Sequence, residues 1–161
     1  MFGFGRKKEL SLSAPVAGNV IPVSAVNDAT FSNDILGRGI AILPAAGQIV
    51  SPADGMLRMM FETGHALSME TQSGIELLIH VGIDTVKLKG RHFIKHKSTG
   101  DIVEAGEPLL SFDPAAIREE GYDPVTILVV LNPSEFSSIR FAENESIQPG
   151  DPLVTLVRAN H

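Results

Sequence analysis

Histidine sets the chemistry open to this chain, because its 161 residues include five histidines and no cysteine. Without thiols there is no disulfide framework, zinc finger or iron–sulfur cluster. The sequence also lacks a P-loop, a dinucleotide-binding glycine fingerprint, a Gly-x-Ser-x-Gly elbow and a His-Glu-x-x-His helix. Two histidines, His65 and His80, fall in one stretch, residues 64–90, reading GHALSMETQSGIELLIHVGIDTVKLKG. His80 ends an apolar run. A histidine stripped of water there favours the neutral ring, whose lone pair can act as base, metal ligand or nucleophile. The same surroundings also suit a hydrogen-bonded core histidine, and it is the company of His65 that favours chemistry. Asp84, four residues on, can orient an imidazole, coordinate a metal, face a basic partner or simply cap the turn that follows. His92 and His96, among Arg91, Lys95 and Lys97 and between Gly90 and Gly100, read as a solvated loop rather than a helical metal pair. His161 is terminal and uninformative.

The element that must position the pair is a β-hairpin. Residues 64–70 and 75–81 are short and apolar-rich, and Thr71-Gln72-Ser73-Gly74 between them has hairpin-turn chemistry. A two-residue loop, Gln72-Ser73, sets His65 directly opposite His80, on one face with Leu67, Met69 and Leu78. If Gly74 joins the loop as a bulge, the register slips by one and the histidines fall on opposite faces. The hydrophobic pattern prefers the second register, which groups Leu67, Met69, Leu77, Ile79 and Val81. On the pattern alone, the pairing of the histidines stays open.

Around the hairpin the expectation is a single all-β domain, residues 11–161, preceded by a flexible tail, residues 1–10. The length suffices for a core without disulfides or a structural metal. Short apolar runs punctuated by Gly and Pro, such as Ile40 to Leu43 and Gly55 to Met60, have the rhythm of an antiparallel β-sandwich or barrel. Two internal echoes suggest pseudo-symmetric halves. Ala14-Pro15-Val16-Ala17-Gly18 resembles Ser51-Pro52-Ala53-Asp54-Gly55, and residues 103–112 resemble residues 147–156, each of the latter two reading as strand, glycine turn, strand and so as a hairpin. One or two short helices are expected: residues 113–120, opened by Asp113-Pro114 and closed by Gly121, and a turn at Asn132-Pro133. Thr126 to Leu131, apolar throughout, reads as a central strand covered on both faces. A net charge of −6 argues against nucleic acid and for basic partner proteins. With no apolar run long enough to span a bilayer and no signal peptide, the expected location is cytoplasmic. Phe2, Phe4 and the Arg6-Lys7-Lys8 cluster allow at most weak contact with an anionic membrane surface.

Residues 61–66, Phe-Glu-Thr-Gly-His-Ala, followed by residues 79–90, Ile-His-Val-Gly-Ile-Asp-Thr-Val-Lys-Leu-Lys-Gly, closely resemble the glucose-family enzyme IIA of the bacterial phosphoenolpyruvate-dependent sugar phosphotransferase system. The likeness extends through Phe31, residues 37–41, residues 51–55 and the Gly106 and Gly150 turns, covering nearly the whole chain. The resemblance implies an antiparallel β-sandwich and a phosphocarrier that takes a phosphoryl group from the carrier HPr and passes it to a cysteine on the IIB domain of a sugar permease. It makes His80 the phosphorylated residue, attacking through Nε2 while its other nitrogen donates to the Gly82 carbonyl. It assigns His65 and Thr63 as hydrogen-bonding partners of the phosphoryl group, Asp28 and Asp84 to an acidic rim, and Phe31, Ile35, Leu36, Phe61 and Leu78 to an apolar docking surface, whereas composition alone reads Phe31, Ile35, Leu36 and Phe61 as core rather than a docking patch. It therefore opposes the register that the hydrophobic pattern prefers. No cofactor is implied and no metal is required; a zinc bridging His65 and His80 is conceivable only within a partner complex. Arg38 and Val81 depart from residues common in the family, at positions that bear on partners rather than chemistry. The Met1 start suggests a free-standing protein rather than part of a permease.

Three other readings compete. A metal-dependent hydrolase would use His65, His80 and Asp84 as a His₂Asp zinc site, but lacks an obvious general base. A biotinyl or lipoyl carrier fits the paired glycine turns but needs a presented lysine, and no Met-Lys-Met is present. A regulator binding other enzymes according to its phosphorylation state is compatible with the phosphocarrier reading.

Overall fold

The computed structural model describes residues 8–143 and 145–160. Fourteen strands are formed among these residues: β1 Glu9–Ser13, β2 Gly18–Pro22, β3 Arg38–Pro44, β4 Gln48–Val50, β5 Gly55–Met60, β6 Ala66–Thr71, β7 Glu76–Val81, β8 Phe93–Lys95, β9 Ile102–Val103, β10 Pro108–Phe112, β11 Thr126–Val130, β12 Phe136–Phe141, β13 Ser146–Ile147 and β14 Pro152–Arg158. All pairings are antiparallel, in an eight-stranded sheet ordered β13-β2-β3-β11-β7-β6-β5-β9 and two three-stranded sheets, β1-β14-β12 and β4-β10-β8. The expected all-β sandwich is therefore present. The main core joins residues of the large sheet (Ile42, Leu57, Leu67, Leu77, Ile79, Leu128) to residues of the two small ones (Leu12, Ile49, Leu109, Leu156).

The echoes in the sequence mark the places where the chain crosses between sheets. Each proline–glycine turn leads from a small sheet into the large one, β1 to β2 and β4 to β5, while the Gly106 and Gly150 turns lead back, β9 to β10 and β13 to β14. The strands flanking those glycines are thus not hairpin partners, contrary to the expectation from residues 103–112 and 147–156. The pseudo-symmetry shows instead in reciprocal bonds. Ser13 N–H donates to the Pro52 carbonyl (3.0 Å) as Val50 N–H does to Pro15 (2.8 Å), and Ala14 N–H donates to Asp151 (2.8 Å) as Ser51 N–H does to Glu107 (2.9 Å). Two copies of one corner close on each other, which binds the small sheets over the large one.

Strand β11 is buried along its length between β3 and β7, as its unbroken apolar run requires. Its alternate residues face two cores: Leu128 and Val130 join the main one, Ile127 and Val129 a smaller one roofed by a 3₁₀ turn at Val23–Ala25 and helix α1, Ala29–Ser32. Helix α2, Pro114–Glu119, starts where expected, with the Asp113 carboxylate accepting from the Ala116 N–H. Asn132 does not cap the turn it precedes. Its side chain accepts from Glu76 N–H and donates to the Gly74 carbonyl, tying that turn to the β6–β7 loop. Glu9 and Leu10, expected in a tail, belong to β1 and pair with Val157 and Leu156. Residues 1–7, which hold the membrane-contact motif apart from the exposed Lys8, and His161 lie outside the described residues. Among the described residues no helix is long and apolar enough to cross a membrane.

Leu77 is fully buried in the main core, whereas Leu43 is 43% exposed. Leu77→Ala should lower the unfolding free energy in chemical denaturation by about 3 kcal/mol, and Leu43→Ala by less than about 1 kcal/mol.

Candidate functional site

The β6–β7 hairpin adopts the register that the hydrophobic pattern prefers. Leu67 faces Ile79, Met69 faces Leu77, and Ala66, not His65, stands opposite His80. The loop is Gln72-Ser73-Gly74, with Gly74 at φ 87° and Thr71 N–H donating to the Ile75 carbonyl. Even so, the histidines meet: their ring centroids are 5.1 Å apart and their planes stand at 85°. Two opposed expectations therefore hold together, and the inference that this register would separate the rings fails.

The reason lies at the other end of β6. His65 is not part of the pleated strand but of the β5–β6 turn, where Gly64 N–H donates to the Phe61 carbonyl (2.8 Å) and Phe61 N–H to the Ala66 carbonyl (3.1 Å). Gly64 turns left-handed at φ 73°, a conformation glycine adopts without steric cost. That turn, not the pleat, aims His65. The His65 carbonyl still accepts from Val81 N–H (2.7 Å), which seats the turn on β7. Thr63 Oγ1 lies 2.5 Å from His65 Nδ1, and the Phe61 ring meets His65 edge-on at 5.5 Å. With the hydroxyl donating, His65 keeps its proton on Nε2.

His80 projects from the face of β7 that carries Leu78, towards the smaller core, and Phe31 from α1 packs on it at 5.0 Å between ring centroids. Its Nδ1 is buried without a hydrogen-bond partner, which leaves Nε2 as the nitrogen turned outward. Gly82 lies close to the ring, but the expected bond from Nδ1 to its carbonyl is not formed with regular geometry. Burial is the first cause that lowers the His80 pKa, to about 4, and the neighbouring His65 lowers it further. The Gly82 backbone and the carboxylates of Asp28 and Asp84 oppose the shift without cancelling it. Burial also lowers His65, which is only 4% exposed. Both rings are neutral at pH 7.

The other expected residues ring this pair unevenly. Asp28 caps α1, accepting from Thr30 N–H at 2.9 Å, and Ile35 and Leu36 are exposed. Phe31, which composition reads as core and the resemblance as docking surface, is only 6% exposed and serves as a wall for His80. Asp84 heads the 3₁₀ turn Thr85–Leu88 at φ 58°, but its carboxylate makes no capping bond and stands 4.0 Å from Lys87 Nζ. The sequence reading missed Thr85, fully buried with its hydroxyl donating to the Val81 carbonyl, and Val86, half-exposed beside Asp84. A buried threonine and an exposed valine carry no mark in the sequence. His65, His80 and Asp84 do not converge on one point: among the described residues no three His, Cys, Asp or Glu side chains form a metal-holding group. The hydrolase reading loses its site. His92 and His96 flank strand β8, bound to Glu120 and Ser111, rather than lying on a helix.

Residues 10–136 match the family described as "phosphoenolpyruvate-dependent sugar phosphotransferase system, EIIA 1". The chain belongs to that family. It is 36% identical to the "PTS system glucose-specific EIIA component" of Oceanobacillus iheyensis over 150 residues, 93% of this chain and 91% of that one. It is 39% identical to the "PTS system beta-glucoside-specific EIIBCA component" of Dickeya chrysanthemi over 95% of its own length, spanning only 24% of that relative. Among solved structures, "glucose permease IIA from Mycoplasma capricolum" superposes with a TM-score of 0.87 at 28% identity, covering 94% of this chain and 98% of that one.

The depressed His80 pKa has two consequences. An NMR titration should show its ring protonating with a midpoint near 4, with no change between pH 6 and 8; a midpoint near the ordinary 6.5 would contradict the burial. Because the unfolded chain protonates first, folding stability should be flat above about pH 7 and fall as the pH drops from about 6.5 towards 4, by up to about 3 kcal/mol from this group.

Proposed function

We propose that the chain is a phosphocarrier of sugar uptake, in which His80 Nε2 takes a phosphoryl group from the phosphohistidine of HPr and gives it to a cysteine on a permease IIB domain. One observation carries this reading: two neutral imidazoles face each other, one with its buried Nδ1 forcing Nε2 outward. The relatives support it, one being named a glucose-specific EIIA component and another an EIIBCA component.

The lone pair on His80 Nε2 attacks phosphorus in line as the phosphorus–nitrogen bond of the donor breaks, and the donor leaves as a neutral imidazole, so no proton has to change hands. His65 Nε2–H, set by Thr63, donates to a phosphoryl oxygen and stabilises the charge spread over the equatorial oxygens. Once phosphorylated, the His80 ring carries positive charge, and its Nδ1–H gains from the nearby Gly82 carbonyl. Phe31, Phe61 and Leu78 keep water from the phosphohistidine, while Ile35, Leu36 and Val86 offer apolar surface for each partner to cover in turn. Asp28 and Asp84 suit a basic donor face. The chemistry requires no cofactor; zinc at His65 and His80 would need further ligands from a partner. A cytoplasmic location follows from the partners proposed.

Incubation with labelled phosphoenolpyruvate, enzyme I and HPr should place one phosphoryl group on the protein and none on His80→Ala; labelling that persists in that variant would sink the proposal. His65→Ala should still be labelled on His80, with transfer slowed by about 10²-fold.

A further inference from the structure

Strand β7 ends at Val81, and the three peptide units that follow His80 are each anchored. In the first, Val81 N–H donates to the His65 carbonyl (2.7 Å). The second is held at both ends: Gly82 N–H donates to the Val125 carbonyl (2.7 Å), and the Val81 carbonyl accepts from the Thr85 hydroxyl (2.5 Å). In the third, Ile83 N–H donates to the Asp123 carbonyl (3.0 Å). The N–H and carbonyl of a trans peptide point opposite ways, so the Gly82 carbonyl is turned away from Asp123. Of these four bonds, only the one from Thr85 comes from a side chain.

Asp84, left-handed at φ 58°, turns the chain back and brings Thr85, fully buried, under the end of the strand. A side-chain-bearing residue holds that conformation only where its surroundings impose it. Thr85 also fills the space beside Gly82, itself at φ 87°. A Cβ on that glycine would overlap the Thr85 methyl and stand 3.0 Å from both Thr85 Oγ1 and the Asp123 carbonyl oxygen. Thr85 therefore bonds to one residue of the Val81–Gly82 pair and packs on the other. The Gly82 backbone acts on the neighbouring His80 ring, favouring its charged form, and the buried Nδ1 of that ring has no other partner among the described residues.

We propose that Thr85 is a positioning residue for phosphoryl transfer: its hydroxyl fixes the Val81–Gly82 peptide, so that the Gly82 carbonyl stays beside His80 and takes up the Nδ1–H when phosphorylation charges the ring. This rests on the phosphocarrier reading above. An acceptor already in place costs no reorganisation when the charge develops, and a hydrogen bond from a charged donor is stronger than one from a neutral donor. Thr85 thus favours the phosphorylated form over the unphosphorylated one. A residue that only packs stabilises both forms alike.

Two variants test it: Thr85→Val keeps the shape and loses the hydroxyl, and Thr85→Ser keeps the hydroxyl and loses the methyl. Each is read by the equilibrium of phosphoryl exchange with HPr and by the His80 Nδ1 signal in a long-range 1H–15N spectrum. Both should lower Tm, one by orphaning a buried carbonyl and the other by leaving a void. Only Thr85→Val should shift the Nδ1 signal and move the equilibrium towards phospho-HPr, by about tenfold, while Thr85→Ser stays within about twofold of the parent. A valine variant that loses Tm alone, or a serine variant displaced as far as the valine one, would overturn the proposal. Should the valine variant not fold, the serine variant decides: exchange like the parent's supports the hydroxyl, and a shift of about tenfold overturns it. If the parent protein accepts no phosphoryl group the phosphocarrier reading fails instead, and the Nδ1 signals of the unphosphorylated proteins still decide whether Thr85 sets the Gly82 carbonyl.

Discussion

The structure turns on keeping two imidazoles uncharged and in contact at the end of β7. Burial under Phe31 and beside His65 holds His80 neutral, with a pKa of about 4, and the loss of water around Nδ1 leaves Nε2 as the nitrogen that can react. Desolvation disfavours the charged ring, and the partial opposition from Asp28, Asp84 and Gly82 does not restore it. A charged His80 has no lone pair on Nε2, so the apolar wall and the chemistry are one requirement.

The β-scaffold meets that requirement by giving the two histidines different kinds of support. His80 stands on a six-residue strand paired on both sides, so its place is fixed by the ladder from Ala66 to Ile127. His65 stands on a turn, aimed by the left-handed Gly64 and pinned by Thr63. The small core roofed by α1 supplies the wall, and residues 82–92, braced from residues 113–125, supply the rim. The crossings at the paired proline and glycine turns lie elsewhere, where they hold the small sheets over the large one.

Much of this was legible in the sequence, and the failures have identifiable causes. Alternation within β6 and β7 gave the right register because one face of the hairpin is buried in the main core, the condition under which pattern specifies pairing. The step from register to histidine placement failed because it extended the pleat through His65, although Gly64 beside it permits a turn. The glycine-turn repeats are visible as repeats, but whether the flanking strands pair or cross to another sheet depends on long-range packing that no local motif encodes. Composition alone places Phe31 in the core, where it is found, and only the resemblance assigns it to the docking surface; its part as a wall for His80 depends on a four-residue helix that carries little periodicity.

The most direct test of the shared site is a long-range 1H–15N spectrum of the phosphorylated protein, read for coupling between phosphorus and a ring nitrogen. Phosphorus coupled to His80 Nε2, with the His80 Nδ1 proton retained and the His65 ring signals moved by the new anion beside it, is the predicted result. Phosphorus on His80 Nδ1 or on His65, or on His80 Nε2 with the His65 signals unmoved, would contradict it.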